Sequence, residues 1–189
     1  MAMDLAAKAE VAPGDSVLLV GCGPIGLLVL HLLQQRPRVS VTVMYQPESE
    51  ARRRIGEDWG ARMLSTDVVD TLPLDATFDC IIVTAPYRVI PSLVRYAARG
   101  ARIVYNGLSD EPLVTLDLRH LHTSGIALVP SFPHPQLSFR SAGEYAARHS
   151  AQLVRLISHK VHLSASTTVF DLFTEQRDRA VKVVVDCEN

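Results

Sequence analysis

Apolar positions fall in short dense blocks, and amphipathic stretches lie between them. Ser16–Val20 (SVLLV) is continuously apolar and lies between Gly14 and Gly21, the pattern of a strand buried on both faces of a parallel sheet. Residues 25–35 have helical spacing and stop at Arg36-Pro37, because the residue before a proline disfavours the helical region. Residues 39–45 (VSVTVMY) alternate and are β-branched, which predicts a second strand. Residues 47–59 carry Glu48, Glu50, Arg52, Arg53 and Arg54 and read as a solvent-facing helix ending at Gly60. A third strand is expected over 62–64, a fourth over 78–84 (FDCIIVT), and a helix over 89–98 closed by Gly100. A fifth follows over 101–105 (ARIVY) and a sixth over 126–129 (IALV). An Ala-rich helix over 3–11 precedes them and ends before the Pro13-Gly14-Asp15 turn.

The alternation predicts an α/β fold, a doubly wound, mostly parallel six-stranded sheet with right-handed crossovers. The tail is less regular. Helices are expected over 138–149, 152–157 and 166–178, with short strands over 160–163 and 181–185. We therefore expect residues 1–150 to form one domain and 151–189 a small C-terminal appendage.

Composition narrows the function. The 189 residues are 48% hydrophobic and 21% charged, enough for a real core. Nineteen Lys and Arg against twenty Asp and Glu leave a net charge of −1, and only 6% of residues are aromatic. Neither a basic surface for nucleic acid or anionic lipid nor a base-stacking platform is expected. The longest apolar stretch, 25–33, is too short to span a bilayer and contains His31. The N-terminus, with Asp4, Lys8 and Glu10, is no signal peptide. Cys22, Cys80 and Cys187 are far apart, which suggests reduced thiols in a cytoplasm.

Gly21-Cys22-Gly23-Pro24-Ile25-Gly26 fits Gly-x-Gly-x-x-Gly directly after a predicted strand and at the start of a predicted helix. In that frame the first glycine permits the tight turn, the second lets backbone approach a pyrophosphate, and the third lets the helix pack close. Exposed amides at the positive end of the helix dipole favour a diphosphate. The pattern points to a dinucleotide. An acid is wanted at the end of the second strand to hold the ribose 2′-hydroxyl, but the chain reads Met44-Tyr45-Gln46-Pro47-Glu48. Gln46 beside Tyr45 is the nearest polar candidate, and it does not repel a 2′-phosphate as a carboxylate does. Arg52, Arg53 and Arg54 follow, and for each the readings are a partner for such a phosphate or a solvated helix face. NAD and NADP both remain open, with the balance inclined to NADP.

The signals Pro13-Gly14-Asp15-Ser16-Val17, VGCGPIG, Gly60-Ala61, Phe78-Asp79 and Arg99-Gly100 follow in order. Leu156-Ile157-Ser158-His159 and Lys182-Val183-Val184-Val185 complete them. Together they resemble the cofactor-binding Rossmann half of the medium-chain, zinc-type alcohol dehydrogenase superfamily, over residues 12–186. VTLDLRHLH and LISH are similar to the sorbitol- and cyclitol-type members.

The resemblance implies that Thr84, Ala85 and Pro86 border the adenine side. It places Asn106 and Gly107, with Leu108, toward the nicotinamide, and Lys182 near the cofactor phosphates. It implies a dimer seam over 126–135, where Pro130, Pro133 and Pro135 suit a sheet edge. It also implies that the GroES-like catalytic half, with its zinc ligands, is not in this chain and comes from elsewhere, including a separate catalytic-domain chain. Departures are Pro86 and Ala101, where the family favours glycine, and the missing acid.

No substitute chemistry stands out. His120 and His122 would share a strand face but lack a third ligand, so no metal site is expected. His134 is a lone acid–base candidate, and His159 and His162 have no evident catalytic partner. Cys22, at a helix N-terminus, reads as a small side chain beneath the loop, although such a position lowers a thiol pKa. No catalytic residue is assigned. The expected function is the NAD(P)-binding domain of a medium-chain dehydrogenase-type oxidoreductase. The alternative is a non-catalytic dinucleotide-binding or interaction module, such as a remnant or sensor. An S-adenosylmethionine-binding fold with a similar loop is a weaker third.

Overall fold

A computed structural model describes residues 1–67, 72, 76–108, 110, 113–132, 135–175 and 178–187. Helix α1 (Ala2–Lys8) leads into β1 (Ser16–Val20), α2 (Pro24–Gln34), β2 (Ser40–Tyr45), α3 (Glu50–Asp58) and β3 (Arg62–Ser65). Then come β4 (Phe78–Val83), α4 (Ile90–Leu93), β5 (Ala97–Tyr105), α5 (Leu118–Ser124), β6 (Ala127–Pro130) and α6 (Pro135–Arg148). The tail contributes α7 (Ser150–Leu153), β7 (Ile157–His162), α8 (Thr168–Glu175) and β8 (Lys182–Asp186).

The main sheet has the order β3-β2-β1-β4-β5-β6, and every pair is parallel. The continuous apolar run of β1 follows from this arrangement. Val17 and Leu19 enter one core with Leu27, Leu30 and Val43. Leu18 and Val20 enter the other with Ile81, Val83 and Ile103. Both faces are covered, so polar alternation has no place on this strand. Each such buried side chain contributes about 1.5–3 kcal/mol of transfer free energy. The strand order reverses between β1 and β4, and their C-terminal ends open a crevice there.

Three expectations need correction. The helix over 89–98 is shorter and broken: a 3-10 turn at Tyr87–Val89, α4, and another 3-10 turn at Val94–Tyr96. Strand β5 has already begun at Ala97 and runs through Gly100, whose φ is +77°. Pairing passes from Phe78 with Ala97 to Cys80 with Arg102, so two residues of β4 are matched by five of β5. Gly100 thus sits in a bulge inside a strand, which uses a left-handed residue just as a helix stop does.

Secondly, His120 and His122 lie on α5 and not on a strand. The Asp117 side chain accepts from the His120 amide at 3.0 Å, and Gly125 ends the helix at φ +67°. These two caps override the Leu/His alternation between them.

Thirdly, the helix over 152–157 stops at Leu153, and a 3-10 turn at Val154–Leu156 leads into β7 at Ile157. The tail therefore keeps the strand–helix–strand order, because β7 and β8 pair in parallel around α8 as a separate two-stranded sheet. Ala180 and Val181 are buried, and the Ala51 amide donates to the Asp178 carbonyl at 2.8 Å, tying this unit to α3.

Candidate functional site: the crevice above β1, β2 and β4

Gly21 follows β1 at φ +108°, and a Cβ there would lie 2.5 Å from Thr84 Oγ1. The Thr84 hydroxyl lies 3.2 Å from the Val20 carbonyl and 3.1 Å from that of Gly21. The Thr84 and Ala85 amides also donate to Val20 O, so the loop after β4 clasps the glycine loop. A Cβ on Gly26 would sit 2.0 Å from Gly21 O, which makes glycine the condition for starting α2 this close to β1. Gly23 differs: a Cβ there meets nothing within 4 Å. It is the N-cap of α2 with Pro24 in the first turn, and the first turn carries no acidic side chain. The unpaired amides of that turn and the positive end of the dipole open toward free space.

That space is a cavity of about 560 Å³. Gly21, Gly23, Pro24, Ile25 and Gly26 form its floor, Gln46 and Arg52 belong to the segment after β2, and Thr84, Ala85 and Pro86 to the segment after β4. Ten of the fourteen residues expected at a dinucleotide site thus line one cavity. Tyr45, Asn106, Gly107 and Lys182 do not line it. Along β2 the side chains alternate faces, so Met44 lines the cavity while Tyr45 packs into the opposite core. Gly107 lies behind the loop after β4, where a Cβ would meet Ala85 O at 1.8 Å. Lys182 begins β8 in the second sheet.

Residues not singled out from the sequence complete the wall, chiefly Ser49, Thr66, Arg88, Ser92, Arg95 and Tyr96. Arg95 falls within the stretch read as an ordinary helix, and Arg88 stands just before it. For Arg88, its place shortly after β4 at the reversal of strand order was the available signal. Among the described residues the lining holds three arginines and no carboxylate.

The arginine run after β2 is largely committed. Arg53 bonds Glu50 at 2.8 Å and also Glu57, and Arg54 bonds Glu50 at 2.8 Å. Those guanidinium hydrogen bonds hold the Glu50 carboxyl down at about 2. Arg52 donates from Nε (3.2 Å) and Nη2 (2.9 Å) to the Ala180 carbonyl, fastening α3 to the segment before β8. Beside it, burial pushes the Cys22 thiol up to about 12 against the opposing pull of Arg52. Cys22 is 5% exposed and packs with the core beneath the loop, and its raised value disfavours the thiolate.

Among the described residues no group of three or more His, Cys, Asp or Glu is placed to hold a metal ion. His120 and His122 are two apart on a helix and do not share a face. His159 Nδ1 meets Ser158 Oγ at 2.9 Å, and His162 Nδ1 meets Ser164 Oγ at 2.8 Å. His134 and Pro133 lie outside the described residues. Within the described residues no helix is long and apolar enough to cross a membrane.

No family model matches the sequence. It is 26% identical over 177 residues to glucose 1-dehydrogenase from Metallosphaera sedula, covering 90% of this chain and 48% of the relative. With a Rhizobium meliloti protein named as a D-xylulose reductase it shares 25% identity, covering 96% and 54%. The chain thus spans about half the length of the curated relatives it matches. Among solved structures, an alcohol dehydrogenase from Thermus sp. ATN1 superposes with a TM-score of 0.86 at 20% identity, over 99% of this chain and 55% of that one. An Escherichia coli alcohol dehydrogenase in complex with NADH gives 0.82 at 20% identity, covering 98% and 57%. A Sinorhizobium meliloti protein named as a zinc-binding dehydrogenase, bound to NADP, gives 0.82 at 21% identity, covering 98% and 56%. The chain has the fold of the cofactor-binding Rossmann half of the zinc-type alcohol and polyol dehydrogenases.

Proposed function

We propose that this chain is the nicotinamide-dinucleotide-binding part of an alcohol- or sugar-type oxidoreductase. The observation that carries the reading is the contrast within the glycine loop. Gly21 and Gly26 are closely packed, whereas Gly23 faces open space at the start of α2. A loop built only for tight packing has no need of its middle glycine.

In this reading Gly21, Gly23, Pro24, Ile25 and Gly26 hold the diphosphate through backbone amides. Gln46 hydrogen-bonds the adenosine ribose, and Thr84, Ala85 and Pro86 border the adenine. Asn106 and Gly107, behind the loop after β4, set the position of the nicotinamide end. The bound nicotinamide supplies hydride acceptance or donation, and the chain contributes orientation and shielding from water. Among the described residues the lining holds no His, Asp, Glu or Lys for proton transfer. Proton relay and substrate contacts therefore come from a catalytic, zinc-bearing portion of the kind its relatives' doubled length suggests. The same observation favours the second reading, a dinucleotide-binding module that turns nothing over.

We place the protein in the cytoplasm and pair it as a homodimer through the free edge of β6, where Leu128 is partly exposed. Sedimentation of the chain beside a Leu128→Lys variant tests the pairing: a wild-type monomer contradicts it. The cofactor reading is tested by titrating NADH and NADPH while following nicotinamide fluorescence. Saturable enhancement with at least one of them below about 1 mM is expected. No response to either at that concentration overturns the reading.

A further inference from the structure

The cavity reading leaves open what recognises the far end of the dinucleotide, and the structure changes the candidate. The three consecutive arginines after β2 are the obvious cations in the sequence, yet all three are engaged. Arg53 and Arg54 pair with Glu50, and Arg52 holds the Ala180 carbonyl. On the other side of the glycine loop stands Arg88, in the 3-10 turn after β4. It lines the same cavity, its side chain reaches solvent, and among the described residues it has no hydrogen-bond or ion-pair partner. Ser49 and Thr66 on the lining add hydroxyl groups, and no carboxylate opposes an anion there.

We infer that the dinucleotide is the 2′-phosphorylated one and that Arg88 is the residue that selects it. The inference rests on the dinucleotide reading above and deepens it. The strand order places the loops after β2 and β4 on either side of the loop after β1. A nucleotide seated on the glycine loop therefore has its adenosine between Gln46 and Ser49 on one hand and Arg88 on the other. Gln46 stands where a carboxylate excludes a phosphate in NAD-selective sites. Its neutral amide tolerates a dianion but supplies no charge. Arg88 supplies the charge, and a guanidinium with free donors grips phosphate through paired hydrogen bonds. The segment after β2 thus permits the phosphate, and the segment after β4 binds it.

The test compares NADPH and NADH dissociation constants for the wild-type chain, Arg88→Ala and Arg88→Lys. Arg88 is exposed, so neither substitution disturbs the core. The wild type is expected to prefer NADPH by about tenfold or more, the scale of one charge-assisted contact. Arg88→Ala is expected to abolish that preference by weakening NADPH about tenfold while changing NADH less than about threefold, and Arg88→Lys to restore part of it. Equal affinity for the two cofactors in the wild type overturns the inference. So does an Arg88→Ala variant that weakens both alike, since that outcome marks a contact with the adenine or diphosphate. Both of those results leave the dinucleotide reading intact. Binding of neither cofactor removes that reading and this one with it.

Discussion

Gly26 and Gly23 stand three residues apart in one motif and answer to different constraints. At Gly26 an added methyl collides with Gly21 O at 2.0 Å, against backbone that cannot yield without shifting α2 from β1. Gly26→Ala is expected to lower stability by about 3 kcal/mol, measured as a drop in the midpoint of urea unfolding; an unchanged midpoint contradicts the packing described. At Gly23 there is nothing to collide with. The sequence pattern names both glycines without saying which one serves the fold. Cys22 between them shows the same limit. Its place at a helix N-terminus lowers a thiol pKa, yet its burial, whose extent no local motif reveals, pushes it up to about 12.

At the scale of elements, the described side chains of α6, over 139–148, are exposed except for the half-buried Tyr145. The Tyr145 hydroxyl lies 2.6 Å from Nδ1 of His31 on α2, and His149 stacks obliquely on Tyr145 with ring centroids 4.3 Å apart. Trp59 meets the His31 ring edge-on at 4.9 Å. Burial first, and the neighbouring His149 second, hold His31 below its ordinary value of 6.5. The unfolded chain therefore takes up this proton more readily than the folded one. The stability tied to neutral His31 is present above pH 6.5 and declines below it, levelling off beneath the folded value. Trp59 is the only tryptophan in the chain, so its fluorescence reports the change. Acidification below 6.5 is expected to alter that emission and lower the unfolding midpoint, and His31→Gln to flatten both responses. A pH-independent wild type counts against this account of how α6 is held.

The central strands β1 and β4 were legible because a strand covered on both faces is a continuous apolar run, and β2 because its β-branched residues alternate. Elements decided by a single contact were not. The start of β5 depends on a bulge at Gly100, and α5 depends on the Asp117 cap. The separation of β7 and β8 into their own sheet depends on pairing between residues about 25 apart, such as Ile157 with Lys182. The cavity floor was legible from its glycine spacing directly after β1. Arg88 was hidden, because its role depends on the strand order and on the other cations being engaged.

For the whole molecule, Leu108, Leu113, Leu118, Phe132 and Phe139 are at least 72% exposed, and all follow β5 in the chain. Leu163 and Phe170 in the tail are exposed as well. Single exposed apolar residues need no explanation, and under the proposed function their concentration in the second half is surface available to a further portion of protein. This fits a chain that holds a cofactor and relies on further protein for substrate. The most direct test of that central claim is calorimetric titration of NADPH into the wild-type chain and into Gly23→Val. The account predicts saturable binding to the wild type and none to Gly23→Val, with the variant's unfolding midpoint little changed because no atom lies within 4 Å of the new Cβ. Equal binding by the two proteins would show that the glycine loop at the start of α2 is not where the dinucleotide sits.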